Sequence, residues 1–140
     1  VRRGGHVMGI CGGFQMLGHK VSDPNGIEGN VRDVAGLGLL DIETIMEPAK
    51  TVRNVNAHSL VFGVDMTGYE IHLGKTQGSD CNRPFSRIDG HADGAISPDG
   101  KIIGTYLHGV FSNDVFRHRL EITVRAWMRH WIGLHRGWRR

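Results

Sequence analysis

Cysteine is scarce in this 140-residue sequence, with only Cys11 and Cys81 present. Without a secretory signal such a pair is a poor disulfide candidate, and its spacing fits no zinc motif. Long apolar runs are missing too: none approaches the roughly 20 residues that cross a bilayer. No signal-peptide pattern opens the chain, so the expected compartment is the cytoplasm, with no membrane partner. The nine histidines never fall in H-x-x-x-H spacing, and no metal site is expected. Internal repeats and low-complexity segments are also lacking.

Glycine, by contrast, is abundant: 21 residues, set between apolar runs, which indicates many tight turns rather than disorder. Apolar residues make up 39% and charged residues 22%, ordinary for one globular domain with one core. The formal charge of +3 is uneven, because seven arginines lie from Arg117 onward. A solvated helix face accounts for them. A nucleic-acid contact is the alternative, but no nucleic-acid-binding motif accompanies the arginines, and no such partner is expected.

Along the chain, "HVMGI" (residues 6–10) reads as a buried strand that ends at Gly12 and Gly13. Phe14, Leu17 and Val21 follow at helical steps, so a short helix comes next. The turn signal Asp23-Pro24-Asn25-Gly26 closes that region. Strands are expected over 36–46, 51–63 and 68–76, with a polar loop at 77–86. Residues 93–109 read as a hairpin turning at Pro98-Asp99-Gly100. A helix then starts after Asn113, a candidate N-cap, with Phe116, Leu120, Val124, Trp127 and Trp131 as its apolar stripe. The pattern is α/β, with strands in the middle and helices at both ends. A strand-turn-helix so early normally has strands before it, and the chain reads as if it begins in mid-domain.

Cys11 therefore sits at a strand-to-helix elbow. Two readings stay open for it: a small hydrophobe at an inert turn, or a nucleophile. The physical case for the second has three parts. A helix N-terminus offers unpaired N–H groups and partial positive charge, which favour a thiolate. The N–H of Gly12 points to where a tetrahedral oxyanion would form. Glycines at 12 and 13 leave room for a substrate carbonyl. A nucleophile also needs a proton carrier, and His108 in "GTYLHGVF" is the best placed, just beyond an apolar strand. His72 in "GYEIHLG" is its rival, with a hydrogen-bonded strand histidine as its plain reading.

Three segments, "GICGGFQMLG", "GYEIHLGKT" and "GTYLHGVFSND", supported by "DPNGIEG" and "GLGLLDIET", closely resemble the C-terminal glutamine amidotransferase domain of cobyric acid synthases. The resemblance covers residues 4–120. It implies a flavodoxin-like class I amidotransferase fold, with a central, mainly parallel sheet flanked by helices and lacking its first strands. Residues 1–120 would be the partial domain and 121–140 a basic C-terminal helix or tail. Cys11 would be the nucleophile toward glutamine and His108 its proton carrier. Gly12 would supply an oxyanion donor, Gln15 would help hold glutamine, and Tyr69, Glu70 and His72 would lie near the substrate. The ammonia would pass to an ATP- and magnesium-dependent synthetase domain, which would amidate a corrinoid, adenosylcobyrinic acid a,c-diamide. No G-x-x-x-x-G-K-[ST] loop occurs here, so no cofactor is expected in this chain. The alternatives are an inactive scaffold domain or an amidotransferase for cell-wall lipid precursors. Two departures stand out. The position two after the histidine, often an orienting acid in triad amidotransferases, is Val110, as the cobyric acid synthase branch also lacks that acid. The group that orients His108 is thus unassigned. The family's second oxyanion donor comes from a loop before the elbow, outside this sequence.

Overall fold

The computed structural model describes residues 5–30 and 32–136, without the side chains of residues 49–51, 72 and 127–136. The elements run β1 (Val7–Ile10), α1 (Gly12–Leu17), β2 (Lys20–Ser22), β3 (Asp33–Ala35), β4 (Glu43–Ser59) and β5 (Val64–Gln77). A 3-10 turn (Ser79–Asn82) leads to β6 (Ser86–Ile88), β7 (His91–Asp93), β8 (Ala95–Ile96), β9 (Ile102–Thr105) and β10 (Leu107–His108). A second 3-10 turn (Val110–Ser112) precedes α2 (Asp114–Arg136).

These strands form two sheets. The smaller has the order β1-β9-β8, and the larger runs β10-β5-β4-β2-β3, with β6 and β7 added beside β4. The architecture is mixed α/β, as expected, but the main sheet is not mainly parallel. Parallel pairing is confined to β1–β9 and β2–β4, and the other described pairs are antiparallel. The reason is local. β4 and β5 are joined by only residues 60–63, and so short a link permits only antiparallel neighbours. Burial alternates along both strands, with Thr44 and Met46, then Val64 and Met66, facing inward.

The 36–46 strand also differs from expectation. Residues 36–42 are irregular, and β4 starts at Glu43 and continues through Pro48 to Ser59. The ladder to β5 shifts register between Ile45 and Lys50, which lets an imino acid sit inside a long strand. α1 stops at Leu17, so Val21 lies in β2 rather than on the helix. Of the 93–109 hairpin, β8 and β9 pair as expected, with Ala95 opposite Gly104 and Ile96 opposite Ile103, while Leu107–His108 leaves it to pair with β5.

Two clusters make the core. One joins the β4–β5 ribbon to Ile103, Leu107, Val110 and Phe116, where Phe116 meets Phe62 edge-on at 5.2 Å. Burying Phe116 fully contributes about 1.5–3 kcal/mol. The other cluster packs Phe14 and Leu17 of α1 on Leu40, Ile42, Ala95, Ile102 and Tyr106. That contact explains Gly104: a Cβ there would lie 1.9 Å from Phe14 Cδ2, so only glycine lets α1 lie flat on β9. In α2, Phe116 is buried and Leu120 half-buried, while the side chains of Trp127 and Trp131 fall outside the described residues.

Candidate active site

Cys11 links β1 to α1 with φ 53° and ψ −117°. A non-glycine residue at such angles costs about 1–3 kcal/mol and persists only where neighbours hold it. Here the Cys11 N–H donates to Thr105 O at 2.9 Å, the last residue of β9, and its carbonyl accepts the Gln15 N–H at 3.1 Å. The strained turn throws the side chain out toward β5, where Sγ donates to Ile71 O at 3.2 Å. Gly12 and Gly13 behind it are not demanded by packing, since a Cβ on either meets no atom within 4 Å.

β5 acts as a ruler for the other groups. Its register pairs Tyr69 with His108, and the two rings stack at 4.9 Å and 9°. Two residues on, Ile71 O holds the Cys11 thiol. Two further on, Leu73 O accepts from Gln15 Nε2 at 2.9 Å, and that amide also donates to Tyr106 Oη at 3.2 Å. Alternate strand positions share a side and rise about 6.6 Å per pair, so one edge of β5 indexes histidine, thiol and amide in turn. His108 Nε2 is buried and has no hydrogen-bond partner. The thiol spends its hydrogen bond on Ile71 rather than on this nitrogen.

Beside the elbow lies a hollow of about 430 Å³ lined by Gly12, Gln15, Met16, Asp23, Glu28 and Met46, among others. Asp23 shapes its wall. Its carboxylate accepts the N–H groups of Ile27 and Glu28 at 2.8 and 2.9 Å. These bonds, that from Glu28 foremost, hold its carboxyl below the usual range. A roomier hollow of about 620 Å³, around His58, Arg87 and Asn113, contains none of Cys11, Gln15 or His108.

Of the residues read from the sequence, Cys11 and Gln15 bond to the β5 carbonyls of Ile71 and Leu73, His108 stacks on Tyr69 of the same strand, and Gly12 lines the hollow beside the elbow. Glu70 does not join them. It follows Tyr69 and so faces the opposite side, where Arg53 Nε and Nη2 both reach its Oε2 at 2.9 Å and Arg53 Nη1 reaches Asp89 at 2.6 Å. Glu70 is a buried partner of an arginine in that setting. The side chain of His72 lies outside the described residues.

Three contributors escaped the sequence reading. Tyr106 holds Gln15 and, at 2.5 Å, Thr76 Oγ1. Thr105 anchors the elbow. Asp93 is buried and receives Thr105 Oγ1 at 2.5 Å, Ser86 Oγ at 2.9 Å and the Tyr106 N–H at 3.0 Å. Burial pushes its carboxyl up, against the pull of those three donors. The available signal was a tyrosine inside an apolar strand and an Asp-Gly read only as the start of a hairpin.

A strained cysteine stands between strand and helix, and the strand that accepts its thiol also pairs with the strand of His108, within a mixed α/β fold. The chain belongs to the CobB/CobQ-like glutamine amidotransferase domain family, whose model matches residues 1–116. It is 70% identical over 118 residues to the cobyric acid synthase of Brucella canis, covering 84% of this chain and 24% of that protein. With the cobyric acid synthase of Brucella anthropi it shares 69% over 119 residues, 85% of this chain and 25% of that one. The chain thus spans about a quarter of the length of the curated relatives it matches. Among the described residues, no helix is long and apolar enough to cross a membrane.

Proposed function

We propose that this chain is the glutamine-hydrolysing part of a cobyric acid synthase, supplying ammonia for amide formation in cobalamin biosynthesis. What supports the reading is that the Cys11 thiol bonds to Ile71 O of β5 while His108 pairs with Tyr69 two positions earlier on the same strand, beside an elbow where a Cβ on Gly12 would meet open space. The family and the identity to cobyric acid synthases support it.

In this reading glutamine enters the hollow beside Gly12 and Gln15. Cys11 rotates its thiol from Ile71 O toward His108 Nε2, which takes the proton. Sγ attacks the carboxamide carbon, and the C=O electrons move to oxygen, which receives the Gly12 N–H. The C–N bond then breaks as the imidazolium returns its proton to nitrogen, and ammonia leaves. Water, deprotonated by His108, attacks the resulting thioester. Glutamate departs and the thiol is restored. Gln15, held by Leu73 O and Tyr106 Oη, forms a fixed wall for the substrate.

The domain would comprise residues 1–120, and the mainly parallel sheet of the class would be completed around β1 and β9 by other parts of the enzyme. ATP and magnesium would act in a synthetase domain, where ammonia meets adenosylcobyrinic acid a,c-diamide, all in the cytoplasm. The test replaces Cys11 by alanine in the enzyme that carries this domain. Glutamine-dependent amidation is expected to vanish while added ammonia still supports it. Amidation from glutamine at the parent rate would overturn the assignment.

A further inference from the structure

We propose that Tyr69 orients the imidazole of His108, taking the place of the carboxylate that other triad sites use. The inference rests on the function proposed above and adds to it the missing third member. The position where an acid would sit is Val110, which is fully buried in the apolar core and has no charge to offer. The described neighbour that does engage the ring is Tyr69, stacked face to face at 4.9 Å and 9°.

The backbone is built to bring these rings together. His108 lies opposite Tyr69 in the β5–β10 ladder. A Cβ on Gly68 would stand 2.2 Å from His108 O, so only glycine there lets β10 lie flush against β5. Just beyond, Gly109 turns the chain away at φ 81°. Asn113 then clasps the join. Its Oδ1 accepts the Thr67 N–H at 2.9 Å, and its Nδ2 donates to Thr67 O at 2.9 Å and Gly109 O at 3.0 Å. The main chain on both sides of the stack is thereby fixed.

Tyr69 is 42% exposed, so filling the core is not what places its ring. One face covers His108. That cover restricts rotation of the imidazole about χ2, which a histidine without a hydrogen-bonded carboxylate would otherwise explore. It also suits the chemistry. The imidazole becomes a cation when it takes the thiol proton, and the electron-rich face of a phenol ring attracts a cation. A carboxylate would hold the ring through one nitrogen. The stack holds it by its plane and leaves Nε2, buried and without a partner, for the sulfur's proton. Tyr69 is thus a positioning residue, distinct from the substrate contact that the sequence resemblance implied.

The test compares Tyr69→Leu with Tyr69→Phe by glutamate release in the enzyme that carries this domain, with Cys11→Ala and His108→Ala alongside. Loss of the stack is expected to lower kcat about 2- to 12-fold with KM for glutamine unchanged, and phenylalanine, which keeps the ring, to restore it to within about twofold. The urea midpoint of each variant checks that the fold is intact. A rise in KM alone would make Tyr69 a substrate contact and overturn the proposal. A Phe variant as slow as the Leu variant would do the same, since the hydroxyl would then be what matters. Full activity of Tyr69→Leu, with Cys11→Ala and His108→Ala inactive, would sink the proposal while leaving the glutaminase reading intact. Activity in Cys11→Ala would remove that reading itself.

Discussion

Replacing Asp93 should destabilise the protein in a graded way. Its two oxygens receive the Tyr106 N–H, the Ser86 hydroxyl and the Thr105 hydroxyl, all in a buried setting. In Asp93→Ala the N–H of Tyr106 cannot turn elsewhere, at a cost of about 2 kcal/mol, and the two hydroxyls can only partly re-pair, at about 1 kcal/mol each. The sum is about 4 kcal/mol, a large share of the stability of a small domain. Asp93→Asn keeps an acceptor for Tyr106 and offers NH2 to the two hydroxyl oxygens, so about 1 kcal/mol is expected. Urea unfolding at constant m reads both. The pH dependence follows from burial, which raises the Asp93 carboxyl above its ordinary range. The native chain then holds this proton more readily than the unfolded chain. That contribution is complete below the ordinary aspartate pKa and is lost as pH rises through the raised value. Asparagine does not titrate, so the deficit of Asp93→Asn should be greatest in acid and shrink as pH rises. Equal deficits for Ala and Asn, or a deficit that grows with pH, would refute the reasoning.

Two further outcomes come from the elbow and its surroundings. Gly104→Ala should lower the melting temperature sharply, because its Cβ meets Phe14 and overpacking costs about 1–3 kcal/mol, whereas Gly12→Ala should leave stability within about 0.5 kcal/mol yet slow glutamate release. The reverse order, seen by thermal melts and glutaminase assays together, would deny that Gly12 serves substrate rather than packing. Iodoacetamide followed by peptide mass spectrometry should label Cys11 at least about tenfold faster than Cys81, whose thiol is pushed up by burial and then by Asp80. Faster labelling of Cys81 would remove the distinction between the two thiols.

The elbow was legible because its signals are local: an apolar run, a cysteine, two glycines and a helical repeat. The hairpin of β8 and β9 was legible for the same reason, with its Pro-Asp-Gly turn. What the sequence hid is long-range. Pro48 reads as a strand breaker, and only the register shift against β5 lets β4 continue past it. β10 is two residues long, too short to carry a period, and its existence depends on Gly68 across the sheet. Tyr69 and Glu70 looked like one motif, yet adjacent strand residues face opposite ways, so one stacks on His108 and the other binds Arg53. Asn113 was expected as a helix cap. Its carbonyl does accept the Arg117 N–H, but its side chain reaches back to Thr67, a contact 46 residues away that no local pattern announces.

The break in the ladder between Ile45 and Lys50 divides β5 into two independently registered lengths, residues 64–73 against 50–59 and 75–77 against 43–45. Tyr69, Ile71 and Leu73 all belong to the first. Length changes absorbed at the break can therefore alter the far end of the ribbon, where β2 and β3 wall the hollow, while Tyr69, Ile71 and Leu73 keep their spacing along the first length. The wall of the hollow and the carbonyls that hold Cys11 and Gln15 thus belong to separately registered lengths of one ribbon.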